Sequence, residues 1–267
     1  MQDNNYSDNN NNSNHNHDKI ESRLETHRRW LYFLPNIFTG LNMASGFASI
    51  MLALKGDHYK ASMFLLLAVL FDSVDGRVAR LTGTESPFGE QFDSMSDVIS
   101  FGVAPALLFY HRFLMDLDRI GMVISFLFIL SGAMRLARFN ANIDRISVDY
   151  FQGLPIPLGA LALVGYTLLS LELKWLVTLK YVAVVYMLFY SILMISNIPF
   201  PAFKKSEWVK SHKIHALLII FVMMASVLLY EEFMVQLILT IYVICSFINY
   251  FKKRESLKGL FNGTSEV

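Results

Sequence analysis

The stretch Phe71-Asp72-Ser73-Val74-Asp75-Gly76-Arg77-Val78-Ala79-Arg80, followed after eight residues by Gly89-Glu90-Gln91-Phe92-Asp93-Ser94-Met95-Ser96-Asp97, decides how this chain is read. It sets four aspartates, Asp72, Asp75, Asp93 and Asp97, between long apolar runs. Carboxylates at the end of an apolar helix are costly unless a cation or a partner meets them. On a helix of about 3.6 residues per turn, Asp72, Asp75, Gly76 and Ala79 share one face, with Arg80 at its border. Gly89, Asp93 and Asp97 recur every fourth residue and form a second stripe. Two helices meeting along these faces gather four carboxylates in one pocket. Four such charges cannot all stay ionised in a partly dry site without cations. Hard oxygen ligands suit Mg²⁺ or Mn²⁺. Four of them suggest a pair of ions, which can clamp a phosphate and both oxygens of a displacement. Gly76 and Ala79 remove bulk, and Arg80 supplies a fork for phosphate oxygens.

The surroundings place this site in a membrane. Of 267 residues, 54% are hydrophobic and 17% charged, and the mean hydropathy is +0.40. Apolar runs of bilayer-spanning length recur along the chain, so the expected fold class is all-α, a polytopic membrane helical bundle. The alternating segments of a β-barrel are missing from the pattern. Eight spans are expected, at 33–54, 58–80, 89–111, 120–140, 154–173, 178–198, 213–230 and 233–251. Residues 1–18 read as a disordered Asn-rich tail, and 19–32 as an interfacial segment. Residues 33–200 read as the core, 201–251 as an extra transmembrane pair and 252–267 as a cytoplasmic tail. Residues 1–18 hold no apolar segment of a cleavable signal, so the first span is the expected targeting signal. The lone Cys245 excludes an internal disulfide or cysteine metal cluster. A net charge of +1 carries no sign of nucleic acid binding. With the N-terminus inside, all of the 23 Lys and Arg except Lys55, Lys60, Arg112, Arg119, Lys174 and Lys180 fall on the cytoplasmic side. That bias predicts both termini and the aspartate site at the cytoplasmic face of the cell (inner) membrane.

The pattern Asp72-x-x-Asp75-Gly76-x-x-Ala79-Arg80, eight residues, Gly89-x-x-x-Asp93-x-x-x-Asp97 resembles, at every defined position, the signature of the CDP-alcohol phosphotransferases. Members of that family are integral membrane enzymes that displace CMP from a CDP-linked lipid or CDP-alcohol by a hydroxyl of a second substrate. The resemblance implies that Asp72, Asp75, Asp93 and Asp97 bind two divalent ions at the diphosphate. It implies Asp97 as the catalytic base, and Gly76 and Arg80 as contacts to CDP-diacylglycerol. Ser86 falls where relatives carry a small hydroxyl residue near the phosphate, with Thr82 and Thr84 as alternatives. Asn36, Thr39 and Asn42 open the first span in a region where the family helps hold the nucleotide. Their other reading is polar helix packing. A six-span core and a homodimer are the family's expected architecture, with the last two spans as additions.

The signature does not choose the acceptor. Gly132-Ala133-Met134-Arg135-Leu136-Ala137-Arg138-Phe139-Asn140 and Phe151-Gln152-Gly153-Leu154-Pro155-Ile156-Pro157 resemble the phosphatidylserine synthase branch of the family. An arginine fork at Arg135 or Arg138 can bind a serine carboxylate bidentately, or else anchor the helix to anionic headgroups. The implied reaction joins CDP-diacylglycerol and L-serine to give phosphatidylserine and CMP. Glycerol 3-phosphate or an inositol phosphate are alternative acceptors, and would also suit the two arginines. A cation transporter, which also places aspartates in a membrane, is the reading from another class. It leaves Gly76, Ala79 and Arg80 unexplained.

Overall fold

The computed structural model describes residues 34–84, 86–141, 150–201, 226 and 229–252. The Asn-rich tail, the interfacial segment and nearly all of the expected seventh span lie outside the described residues. Helix α1 covers Leu34–Leu54, and α2 covers His58–Thr82. The caps of α2 follow from local chemistry. Asp57 accepts from the Lys60 N–H at its start, and Gly83, in the left-handed region at φ 62°, returns its N–H to the Ala79 carbonyl. Ser86 then caps α3 (Pro87–Asp97), its Oγ accepting from Gly89 N at 3.0 Å, with Pro87 in the first turn.

Beyond Asp97 the helix widens into a π-helical turn, Val98–Val103, then runs through α4 (Ala104–Phe109) to a second, Tyr110–Leu114. Each wide turn shifts the phase of the faces that follow, and such turns gather at functional sites. The chain reverses at Met115–Asp118, where Asp118 takes φ 45°, and α5 (Asp118–Ala141) packs back along the Val98–Val103 turn. The expected third and fourth spans are thus two arms of one 55-residue helical stretch folded on itself.

Helix α6 (Ile156–Glu172) is apolar on all sides and sits at the centre, packed by α2, α4, α7 (Lys180–Ile195) and α8 (Glu231–Lys252). Leu163, Val164 and Leu168 are fully or almost fully buried there. Gly165 lets α8 approach closely: a Cβ there would stand 3.2 Å from the Gln236 Cα. Two three-residue strands, β1 (Tyr150–Gln152) and β2 (Pro199–Pro201), pair antiparallel with Phe151 opposite Phe200. This ladder is an addition to the expected all-α fold. It ties the segment before α6 to the end of α7.

Three helical segments are long and apolar enough to cross a membrane: Leu34–Leu54, Pro87–Ala141 and Glu231–Lys252. Helices α6 and α7 are apolar but shorter. Helix α2 has the length, and its last three turns carry Asp72, Asp75, Arg77 and Arg80.

Candidate active site

The ends of α1, α2, α3 and α5 and the start of α6 enclose a cavity of about 580 Å³. Its acidic wall is built as the spacing demanded. Asp72 and Asp75 from α2 and Asp93 from α3 each offer a carboxylate oxygen within 4.8 Å of the others. Asp75, Asp93 and Asp97 line the cavity, and Asp72 completes the triad beside them. Asp97 is 8% exposed and lies outside the group of three whose oxygens approach within 4.8 Å.

This donor set fits a divalent cation. All its atoms are hard oxygens. The Asp93 Oδ1 is buried with no hydrogen-bond partner. Among the described residues the ion pairs are Lys60–Asp57 and Lys180–Asp116, at other places in the fold, so no lysine or arginine neutralises the cluster by direct pairing. A buried carboxylate cluster with no directly paired cation among the described residues calls for a bound one.

Helix α1 fixes the acidic groups from behind. Thr39 Oγ lies 3.0 Å from Asp75 Oδ2 and 3.2 Å from the Pro35 carbonyl, so its one proton serves either acceptor. Asn42, fully buried, donates through Nδ2 to Asp97 Oδ1 at 3.4 Å. In turn Ser96 donates to the Thr39 carbonyl at 3.1 Å and Ser100 to the Asn42 carbonyl at 3.0 Å. Gly46 makes this seam possible, since a Cβ there would stand 2.7 Å from the Ser100 Cα. Of the three polar residues expected at the nucleotide, Asn36 and Thr39 line the cavity, while Asn42 lies beneath Asp97 and outside the lining. Asn42 thus sits as a polar helix-packing group, and Asn36 and Thr39 are the members placed where a ligand could reach them.

The residues expected at the phosphate also converge. Gly76, Ala79, Arg80, Thr84, Ser86 and Gly89 line the same cavity. The Arg80 guanidinium folds over Gly76, 3.7 Å from where a Cβ would lie. Ser86 combines its helix-capping bond with a place in the lining. Thr82 is engaged with Thr84 at 2.7 Å, and of these two hydroxyls Thr84 is in the lining.

The two arginines of α5 part company. Arg135 lines the cavity, is 7% exposed, stacks 5.4 Å from the Phe139 ring centre and has a buried Nε without a partner. Arg138 lies outside the lining. Its Nη1 donates to Ile195 O at 2.9 Å and Asn197 Oδ1 at 3.1 Å, and its Nη2 reaches the carbonyls of Gln152, Met194 and Ser196 at 3.2 to 3.3 Å. Gly153, at φ 75°, fits beneath this guanidinium, where a Cβ would collide with the Met194 carbonyl. Arg138 thus clamps the end of α7 to the turn that delivers Pro155 and Pro157 to the cavity wall. Arg138→Lys keeps the charge but loses the fork. It is expected to lower the thermal midpoint in detergent by several degrees and kcat/KM roughly tenfold, because partly buried carbonyls lose their donor. Unfolding scans and initial rates check this.

Sequence reasoning passed over Ser94 and Asn140, joined by an Asn140 Nδ2 to Ser94 Oγ bond of 2.9 Å across the cavity. Both lay inside the quoted stretches, but only the meeting of α3 with α5 pairs them.

Residues 32–189 match the CDP-alcohol phosphatidyltransferase family, and the chain belongs to it. It is a multi-pass integral membrane protein. It is 40% identical over 192 residues to a CDP-diacylglycerol–serine O-phosphatidyltransferase of Helicobacter pylori, covering 72% of this chain and 80% of that protein. It is 41% identical over 170 residues to an archaetidylserine synthase of Methanothermobacter thermautotrophicus, covering 63% and 69%. The Saccharomyces cerevisiae CDP-diacylglycerol–serine O-phosphatidyltransferase is 36% identical over 196 residues, covering 68% and 63%.

Proposed function

We propose that this protein is a CDP-diacylglycerol–serine O-phosphatidyltransferase, with its active site in the cavity between α1, α2, α3 and α5. The observation that carries the reading is the presence of two opposite chemistries in one cavity. An acidic cluster fit for divalent cations faces Arg135, a buried guanidinium with no ion pair among the described residues. The relatives named above support the choice of serine.

Asp72, Asp75, Asp93 and Asp97 would hold two divalent ions, Mg²⁺ or Mn²⁺, which would supply positive charge against the diphosphate and the departing CMP. Arg80, over Gly76, binds phosphate oxygens, with Ser86, Asn36 and Thr39 on the nucleotide side. Arg135, over the Phe139 ring, takes the serine carboxylate by its two-pronged edge. That places the serine hydroxyl toward Asp97, which accepts its proton. The serine oxygen forms a new bond to the lipid-side phosphorus as the bond from that phosphorus to CMP breaks. Asn42 orients Asp97 from below, and Arg138 positions the wall that Pro155 and Pro157 form. Direct attack requires inversion at the transferred phosphorus. A chiral phosphorothioate substrate checks this, and retention would contradict the single displacement.

The membrane placement follows the charge bias. Six spans within 33–200 make the catalytic core, and 201–251 adds a pair of which α8 covers one side of α6. Both termini and the cavity face the cytoplasm, so serine arrives from solution and the lipid tails enter laterally. A homodimer is the assembly the family resemblance favours.

A further inference from the structure

We infer that Asn140, oriented by Ser94, is the ammonium-binding residue of the acceptor subsite and sets selectivity for an amino acid over a simple hydroxy acid. The inference rests on serine being the acceptor. An amino acid held by its carboxylate at Arg135 brings its ammonium group within a few ångströms of the same guanidinium. Two cations so close repel, so the site needs an acceptor beside the arginine.

Helix α5 contributes Arg135, Leu136, Phe139 and Asn140 to the cavity. Leu136 and Phe139 are apolar, and the facing wall at the start of α6 is Pro155 and Pro157. Asn140 is therefore the one side-chain acceptor that α5 places in the cavity with Arg135. Of the carboxylates in the lining, Asp75, Asp93 and Asp97 belong to the metal and the base, and Glu90 stands in the first turn of α3, off the helix that carries Arg135.

The orientation of Asn140 is fixed by its other end. Its Nδ2 donates to Ser94 Oγ at 2.9 Å. With that end committed, the Oδ1 points away from Ser94 and is left to accept. Ser94 itself lies between Asp93 and Asp97 on α3, so the bond also ties the amine contact to the helix that carries the base. Three contacts then define the acceptor: hydroxyl to Asp97, carboxylate to Arg135, ammonium to Asn140.

The test compares L-serine with 3-hydroxypropanoate, which is serine without its amino group. For the full-length enzyme in detergent with CDP-diacylglycerol and Mn²⁺, the KM for serine and the inhibition constant of 3-hydroxypropanoate against serine are measured. Asn140→Ala should raise the serine KM at least about tenfold, the scale of one hydrogen bond to a charged group. It should leave the inhibition constant of 3-hydroxypropanoate within about twofold, since that ligand never used the contact. Ser94→Ala, a milder change, should give the same split with a smaller amplitude. A general loss of packing moves both constants together, and that result, or no change in either, overturns the subsite. A wild-type enzyme that makes no phosphatidylserine overturns the serine reading itself, and the subsite with it.

Discussion

Replacing Asp97 with Asn is expected to stop CMP release from CDP-diacylglycerol while leaving a folded membrane protein. The loss should reach at least about a thousandfold, the upper part of the range for a general base, because the same side chain also belongs to the proposed metal-binding set. The fold should survive for a local reason. Asn42 donates to Asp97 Oδ1, and the Asn42 Oδ1 is buried without a partner. An amide at position 97 keeps an acceptor for that donor and brings a donor for that orphan oxygen. Removing one charge from a crowded acidic site also relieves repulsion. The thermal midpoint of the variant without added metal should therefore equal or exceed that of the parent. Product assays and an unfolding scan on the same preparation check both halves.

Removing divalent cations is expected to have an effect of the same size by a different route. With a strong chelator, turnover should fall to background and return on adding Mg²⁺ or Mn²⁺. Stability should follow as well. Ions that bind the folded state alone stabilise it by about 2.7 kcal/mol at a hundred times their dissociation constant, so the thermal midpoint should climb with ion concentration. Asp93→Asn should shift that climb to higher concentrations, because its Oδ1 is the oxygen left without a protein partner. The same titration in Arg135→Ala should keep the metal-dependent rise and lose the serine-dependent activity. A chelated enzyme with full turnover would remove the acidic cluster from the mechanism.

The acidic wall was legible because its information is periodic. Spacings of three and four put Asp72 with Asp75, and Gly89 with Asp93 and Asp97, on helical faces, and the structure brings those faces together. The place of Arg80 in the same cavity wall was legible for the same reason. Asn42 was legible as a polar group at the right helical level, but its aim was not. Whether it points into the cavity or under Asp97 depends on how closely α1 crosses α3, and that is set by Gly46 against Ser100. Arg138 was harder still. It lies three residues from Arg135 on the same helix, yet it donates to four backbone carbonyls at the β1 and α7 ends. Backbone acceptors have no side-chain signature. The ladder escaped for a related reason: Pro199 and Pro201 lack the N–H groups that mark ordinary strands. The two π-helical turns left no compositional trace at all, although the first follows directly on Asp97.

The reaction assigned to this cavity is transfer of a phosphatidyl group to serine. The most direct test is an acceptor comparison on purified protein with CDP-diacylglycerol and Mn²⁺ or Mg²⁺, reading CMP and lipid product together. L-Serine should yield CMP and phosphatidylserine in equal amounts, with no CMP above background from glycerol 3-phosphate or an inositol phosphate. CMP release with either phosphorylated alcohol and none with serine would contradict the account.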